Sequence, residues 1–158
     1  MKIVLLEDDH LQSEAIEKGL LHEFRSAEIR MLSTESEFYS YLDELAANPT
    51  MSVPDIAIID AMVRWENPSE HLRKPPKEVS QEGFHRAGVR CVKKLLDRQK
   101  TEGIGVILYS ILERDDLAEE LSNLRKEVSF VTKKPDLDEL IREIDAIIRR
   151  KRRSYASA

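Results

Sequence analysis

Two hydrophobic periodicities alternate along this chain from end to end. Lys2–Leu6 is a short apolar run without internal alternation, the pattern of a strand covered on both faces. Leu11, Ala15, Ile16, Gly19 and Leu20 then recur at helical spacing and predict a helix of about 13 residues ending near His22. In Glu28–Leu32 the charged Glu28 and Arg30 interleave with Ile29 and Met31, which predicts a second strand nearer a sheet edge. Thr34 and Glu37 form a capping-box pattern ahead of Phe38, Tyr41, Leu42 and Leu45, and Asn48–Pro54 is a turn-rich break. Asp55–Ile59 is the most hydrophobic strand and is expected at the centre; Ile104–Tyr109 and Val128–Val131 read as the fourth and fifth. Leu117, Leu121 and Leu124 mark a helix between those two. Pro135 opens the last helix, striped by Leu137, Leu140, Ile141, Ile144, Ile147 and Ile148. Five strands alternating with five helices predict an α/β domain: a three-layer α/β/α sandwich on a doubly wound parallel sheet with right-handed crossovers.

The rhythm breaks once. Residues 64–85 place 22 residues between the third strand and a helix striped by Phe84, Ala87, Cys91, Val92 and Leu95. A βα connection normally takes about 2–6 residues. Pro68, Pro75 and Pro76 exclude one continuous helix here, although Glu78 onward could extend the following helix backwards. Trp65, the chain's only tryptophan, is expected to anchor this insertion, which leaves the sheet beside Asp60.

Composition narrows the class. With 158 residues and 18.3 kDa the chain suits one domain, expected over residues 1–153 with its insertion at 64–85, then a short tail at 154–158. No apolar run has bilayer-spanning length and the chain enters a strand at once, so a cytoplasmic protein without anchor or signal peptide is expected. Cys91 has no cysteine partner and is expected as a buried small hydrophobe. The net charge of −5 argues against nucleic-acid binding by the body of the domain. Arg149–Arg153 is the exception, either a solvated helix end or a weak phosphate-backbone contact. His10, His22, His71 and His85 lack metal-ligand spacing, and no glycine-rich phosphate loop is present.

The chemistry sits at the strand ends. Glu7 and Asp8 close KIVLL, Asp60 closes DIAII, Ser110 follows GVILY, and Lys134 follows VSFVTK. In a parallel sheet these ends converge on one edge, giving acids with a hydroxyl and an ammonium beside them. Such a group of side chains can hold a hard divalent cation and a phosphoryl group.

KIVLLEDDH at 2–10, PDIAIID at 54–60 and Lys134–Pro135 after a β-rich run together resemble the receiver domain of bacterial two-component response regulators. The resemblance spans nearly the whole chain apart from the insertion and the last residues. It implies a flavodoxin-like fold with strand order 2-1-3-4-5, and phosphoryl transfer from a histidine kinase or histidine phosphotransfer protein onto Asp60. It further implies Mg²⁺ held by Glu7, Asp8, Asp60 and the backbone carbonyl of Met62, with Ser110 and Lys134 answering the phosphoryl oxygens. Asp9 falls at a variable position and is expected to cap or border the site. Val63 and Arg64 stand where that family commonly has methionine and proline. Counted back from Lys134, the position of the switch aromatic falls on Val131, with Phe130 beside it facing the other way.

After Pro135 there is room for one helix and a short tail, too little for a DNA-binding domain, so a stand-alone receiver acting through protein contacts is expected. Its output face would comprise the helix after the fourth strand, the fifth strand and the last helix, a surface suited to a downstream target or a homodimer. Two other classes remain open: a receiver-like binding module that works without phosphorylation, and a magnesium-dependent phosphohydrolase recruiting Glu66, Glu70 or His71.

Overall fold

The computed structural model describes residues 1–68, 74–98, 101, 103–124 and 128–156. Strands β1 (Lys2–Leu6), β2 (Glu28–Leu32), β3 (Ile56–Asp60), β4 (Gly105–Ser110) and β5 (Val128–Thr132) form one parallel sheet in the order β2-β1-β3-β4-β5. The sequence-based strands are recovered, with β3, β4 and β5 each reaching one residue further, onto Asp60, Ser110 and Thr132, and β3 and β4 each starting one residue later. Strand alternation divides the core in two. Val4, Leu6, Ala57, Ile59, Val106 and Leu108 pack towards helices α2 (Glu35–Ala47) and α4 (Ala87–Leu96). Ile3, Leu5, Ile56, Ile58, Ile107, Tyr109 and Val131 pack towards α1 (His10–Glu23) and α6 (Asp138–Ala156). This is the three-layer arrangement that the alternating periodicities predict.

Helix entry follows local chemistry. Asp9 caps α1 by accepting the Gln12 N–H at 3.0 Å. Thr34 caps α2 through the Glu37 N–H at 3.2 Å, but the reciprocal arm of the expected capping box lands one residue early. Glu37 accepts the Ser33 N–H at 2.7 Å, not that of Thr34. The chain after β3 supplies the remaining acceptors: the carbonyls of Arg64 and Trp65 take the N–H groups of Glu35 and Ser36 at 3.0 and 2.9 Å. The start of the insertion therefore completes the N-terminus of α2.

The described part of the insertion adds a sixth helix, α3 (Lys77–Glu82), to the five expected; the short α5 (Ala118–Ser122) follows β4. The expected backward extension of α4 does not form one continuous helix. Gly83, at φ 76° and ψ −178°, ends α3 in a conformation open essentially to glycine, and a 3₁₀ turn at Phe84–Arg86 leads into α4. Both ends of the insertion are tied to α2. Trp65 meets the Tyr39 ring edge-on, with centroids 5.7 Å apart, as the expected anchor. Buried Arg90 of α4 makes a two-pronged pair with buried Glu35, Nε and Nη2 each 2.8 Å from its oxygens, and also reaches Glu82 and the Gly83 carbonyl. Tyr39 donates its hydroxyl to Glu35 at 2.6 Å, and burial together with Glu35 pushes the phenol's pKa up.

The remaining expectations resolve simply. Cys91 is fully buried, and burial raises its thiol pKa. The basic run belongs to α6, which continues to Ala156, three residues into the expected tail. Within it, Arg150 pairs with Glu143 and Lys151 reaches back to the Asp55 carbonyl. Among the described residues no helix is long and apolar enough to cross a membrane.

Two substitutions test this framework. Arg90→Met would leave the Glu35 carboxylate buried with only Tyr39 as partner, and is expected to cost about 3–5 kcal/mol in urea unfolding. The double change Arg90→Met with Glu35→Leu should recover most of that loss. Gly88→Ala is expected to cost about 1–3 kcal/mol by overpacking, because its Cβ would come within 2.1 Å of the Asp60 carbonyl oxygen.

Candidate acidic phosphoryl and metal site

Extending the strand alternation past the strand ends builds the site. Glu7 follows Ile3 and Leu5 by the period of two, Asp60 follows Ile56 and Ile58, and Lys133 follows Val131. All three fall on the face covered by α1 and α6, at the carboxyl edge of the sheet where the chain order switches from β1 to β3. The Glu7 N–H donates to the Leu32 carbonyl, and the Lys133 N–H donates to the Ser110 carbonyl at 2.6 Å, so backbone bonds fix both residues just beyond their strands.

The side chains converge. Lys133 Nζ lies 2.5 Å from Glu7 Oε2, 2.7 Å from Asp60 Oδ2 and 3.2 Å from Gln12 Oε1. Asp60 Oδ1 accepts the Met62 N–H at 3.1 Å, so Asp60 is held through both oxygens. One oxygen from each of Glu7, Asp8 and Asp60 lies within 4.8 Å of the others, a hard-oxygen set of the size a divalent cation uses. The side chains of Glu7 and Asp60 are 2% and 8% exposed, whereas that of Asp8 is 23% exposed and forms the lip.

Burial raises the proton affinity of Asp60 and Glu7 above the ordinary carboxylate range, against the opposing pull of Lys133. For Lys133 the two carboxylates outweigh burial, and its pKa also rises. The two directions agree: two buried anions share one ammonium, so the lysine stays charged while the acids hold protons more readily than usual.

Of the expected residues, Glu7, Asp8 and Asp60 come together, and one is displaced. Lys134 is not in the hollow; it is half-exposed and pairs with Glu139 of α6 at 2.6 Å. Lys133 takes its place. Adjacency to Pro135 favoured Lys134, but consecutive residues leaving a strand point to opposite faces, and only Lys133 shares the face of Glu7 and Asp60. Counting the two-residue period from Val131 was the signal that finds it. With Lys133 as the site lysine, the residue three earlier becomes Phe130, so the aromatic that counting from Lys134 misplaced on Val131 is restored. Phe130 registers with Leu108 and packs in the α2–α4 half of the core.

Ser110 is fully buried and its Oγ accepts the Leu112 N–H at 3.1 Å. It follows Tyr109, the register partner of Asp60, and by alternation lies on the Phe130 side of the sheet. Asp9 borders the site as expected, its N–H donating to Glu7 at 3.2 Å. Arg64 was passed over as a departure from the family pattern, yet its Nε–H and its backbone N–H both donate to Asp8 Oδ2 at 3.1 Å. Of the residues considered for hydrolysis, Glu66 lines a groove with Arg30 and Glu37 beside β2, while Glu70 and His71 lie outside the described residues.

No family model and no curated protein sequence matches the chain. Solved structures do. The phosphorylated cyanobacterial phytochrome response regulator RcpA aligns with 92% of this chain and 89% of its own at 19% identity, TM-score 0.64. The receiver domain of a DNA-binding response regulator from Colwellia psychrerythraea 34H aligns over 94% and 98% at 15% identity, TM-score 0.65. The Mn²⁺-bound form of response regulator Rcp1 aligns over 92% and 90% at 16% identity, TM-score 0.61. The strand order, the layers and these matches agree that the chain has the flavodoxin-like fold of response-regulator receiver domains.

Proposed function

We propose that the chain is a phosphoryl-accepting signal receiver in which Asp60 is the acceptor. The observation that carries this reading is the meeting of Asp60, Glu7 and Asp8 with the buried ammonium of Lys133 in one hollow. The ionised Asp60 carboxylate attacks phosphorus in line, the phosphorus–nitrogen bond of a phosphohistidine donor breaks, and the imidazole leaves with that electron pair. The product is an acyl phosphate on Asp60. Esterified, Asp60 loses its own charge, so Lys133 transfers its hydrogen bond to a phosphoryl oxygen while keeping Glu7. Ser110 gives up its turn contact with Leu112 to reach the same group, and Phe130, on the same side of the sheet, follows the space it vacates.

Glu7, Asp8, Asp60 and the carbonyl of Met62 fit a hard divalent cation, Mg²⁺ by its preference for oxygen donors. Bound there, it would neutralise charge on the transferring group and relieve the mutual repulsion of the acids. The donor would be a histidine kinase or histidine phosphotransfer protein in the cytoplasm. The output would run through protein contacts on the face of α5, β5 and α6, to a downstream target or a second copy of the chain.

A binding module that works without phosphorylation is the competing reading, and one observation favours it. The acids already have internal counter-ions, Lys133 and Arg64, so two positive charges face the three acids without any ligand. Incubation with Mg²⁺ and acetyl phosphate, followed by intact mass, separates the two. One added phosphoryl group, absent in Asp60→Asn, is expected; an unmodified parent chain would leave the binding module standing. Lys133→Ala should slow phosphorylation by about tenfold or more, because a preorganised charge is removed from the transferring group. Lys134→Ala should leave the rate unchanged.

The pH dependence of stability has a defined sign. A carboxylate whose folded pKa is raised weakens the fold as pH climbs from its unfolded value through the folded one. In metal-free buffer Asp60→Asn should therefore exceed the parent in urea stability at pH 7. That gap should close as pH falls below the ordinary carboxylate range, where Asp60 is neutral in both states. Adding Mg²⁺ at pH 7 should stabilise the parent and leave Asp60→Asn little changed.

A further inference from the structure

Arg64 is neither the acceptor nor the charge-pairing lysine, yet it holds Asp8, the most exposed of the three clustered acids. Its Nε–H and backbone N–H both donate to Asp8 Oδ2 at 3.1 Å, and its Nη2 approaches the Asp8 carbonyl at 3.5 Å. Glu7 and Asp60 are closed in by Lys133, so an incoming cation meets Asp8 first. The Arg64 side chain is 47% exposed and its backbone is tethered separately, through its carbonyl to the Glu35 N–H. The guanidinium can therefore swing into solvent while the backbone N–H stays on Asp8 Oδ2, leaving Oδ1 for a ligand.

We propose that Arg64 is a built-in competitor for the divalent cation: its guanidinium occupies Asp8 in the metal-free state and must be displaced for metal to bind. The inference rests on the metal site proposed above and adds what sets its affinity. A guanidinium at hydrogen-bond distance from a carboxylate would stand within a few ångströms of a metal on that carboxylate, and like charges that close repel even at the high effective dielectric of a half-exposed site. The competition is between two positive charges at one carboxylate, so it answers to ionic strength. Metal occupancy is thereby coupled to the first residues of the insertion, where Trp65 and the N-terminus of α2 are joined.

The test is direct binding of Mn²⁺, followed by electron paramagnetic resonance of the free ion, to the full chain and to Arg64→Ala and Arg64→Gln. Both variants keep the backbone donor, and thermal melts check that each is folded. Removing the guanidinium is expected to tighten Mn²⁺ binding by about three- to tenfold at low salt. The gap should narrow when KCl is raised from about 50 to about 500 mM, as the charge is screened. Arg64→Lys should stay close to the parent. Equal affinities in the parent and both charge-removing variants would overturn the role of Arg64 and leave the metal site standing. Weaker binding in both variants would overturn it too, by making Arg64 an organiser of Asp8. No binding to any of the proteins would overturn the metal site, and this inference with it.

Discussion

One ammonium shared between two buried carboxylates is the constraint around which the carboxyl edge of this sheet is organised. Lys133 touches both Glu7 and Asp60, and thereby joins the ends of β1, β3 and β5 across more than 120 residues of sequence. Taking three charges out of water costs several kcal/mol per ion before any attraction is counted. The arrangement persists because each oxygen that the lysine leaves over finds a backbone donor, Asp9 for Glu7 and Met62 for Asp60. Two anions against one cation still leave an excess of negative charge, which is why burial prevails in the proton affinity of both acids. A site left this way is receptive to further positive charge. That receptivity, not the acids alone, is the physical content of the receiver reading.

The insertion extends the same logic outward. In a shorter connection the N-terminal N–H groups of α2 would need side-chain or solvent acceptors. Here the carbonyls of Arg64 and Trp65 serve, while the side chain of Arg64 turns back to Asp8. A two-residue stretch thus completes a helix on one side and balances the acidic hollow on the other. Arg90, in the buried pair with Glu35 and in contact with Gly83, ties the far end of the insertion to the first turn of that helix. Such a pair does little for net stability compared with apolar packing, but it tolerates only one placement of α3 against α2.

The layered fold was legible in the sequence because the strands are short and bounded, four of them are mostly apolar, and the main helices carry apolar stripes, although Leu11 and Phe84, counted on those stripes, are exposed. The acids were legible for the same reason: Glu7, Asp8 and Asp60 stand immediately after apolar runs whose ends a parallel sheet must bring together. Lys133 was missed because a motif pairing, lysine before proline, was weighed above the two-residue period that Val131 had already set. The misplaced aromatic followed from that single slip. The reciprocal bond of the capping box goes to Ser33, while the carbonyls of Arg64 and Trp65 serve Glu35 and Ser36, long-range contacts that no local pattern contains. Arg90 had no sequence signal either: it sits in an amphipathic helix among buried residues, where a charged side chain is read as solvated until its partner is known.

Arg64 shows how a departure from a family pattern can carry information of its own. Where proline would only shape the turn after β3, arginine adds a half-exposed charge beside the most exposed of the three acids. Lys133 and Arg64 are chemically unlike counter-ions for one cluster. The lysine is buried and contacts Asp60 and Glu7; the arginine is half-exposed and contacts Asp8. A buried counter-ion fixes where a phosphoryl oxygen can sit, because it has nowhere else to go. An exposed one separates from its carboxylate at lower cost, because solvent can receive both charges. The positive charge facing the acids is thus divided between a partner buried among them and one that solvent already reaches.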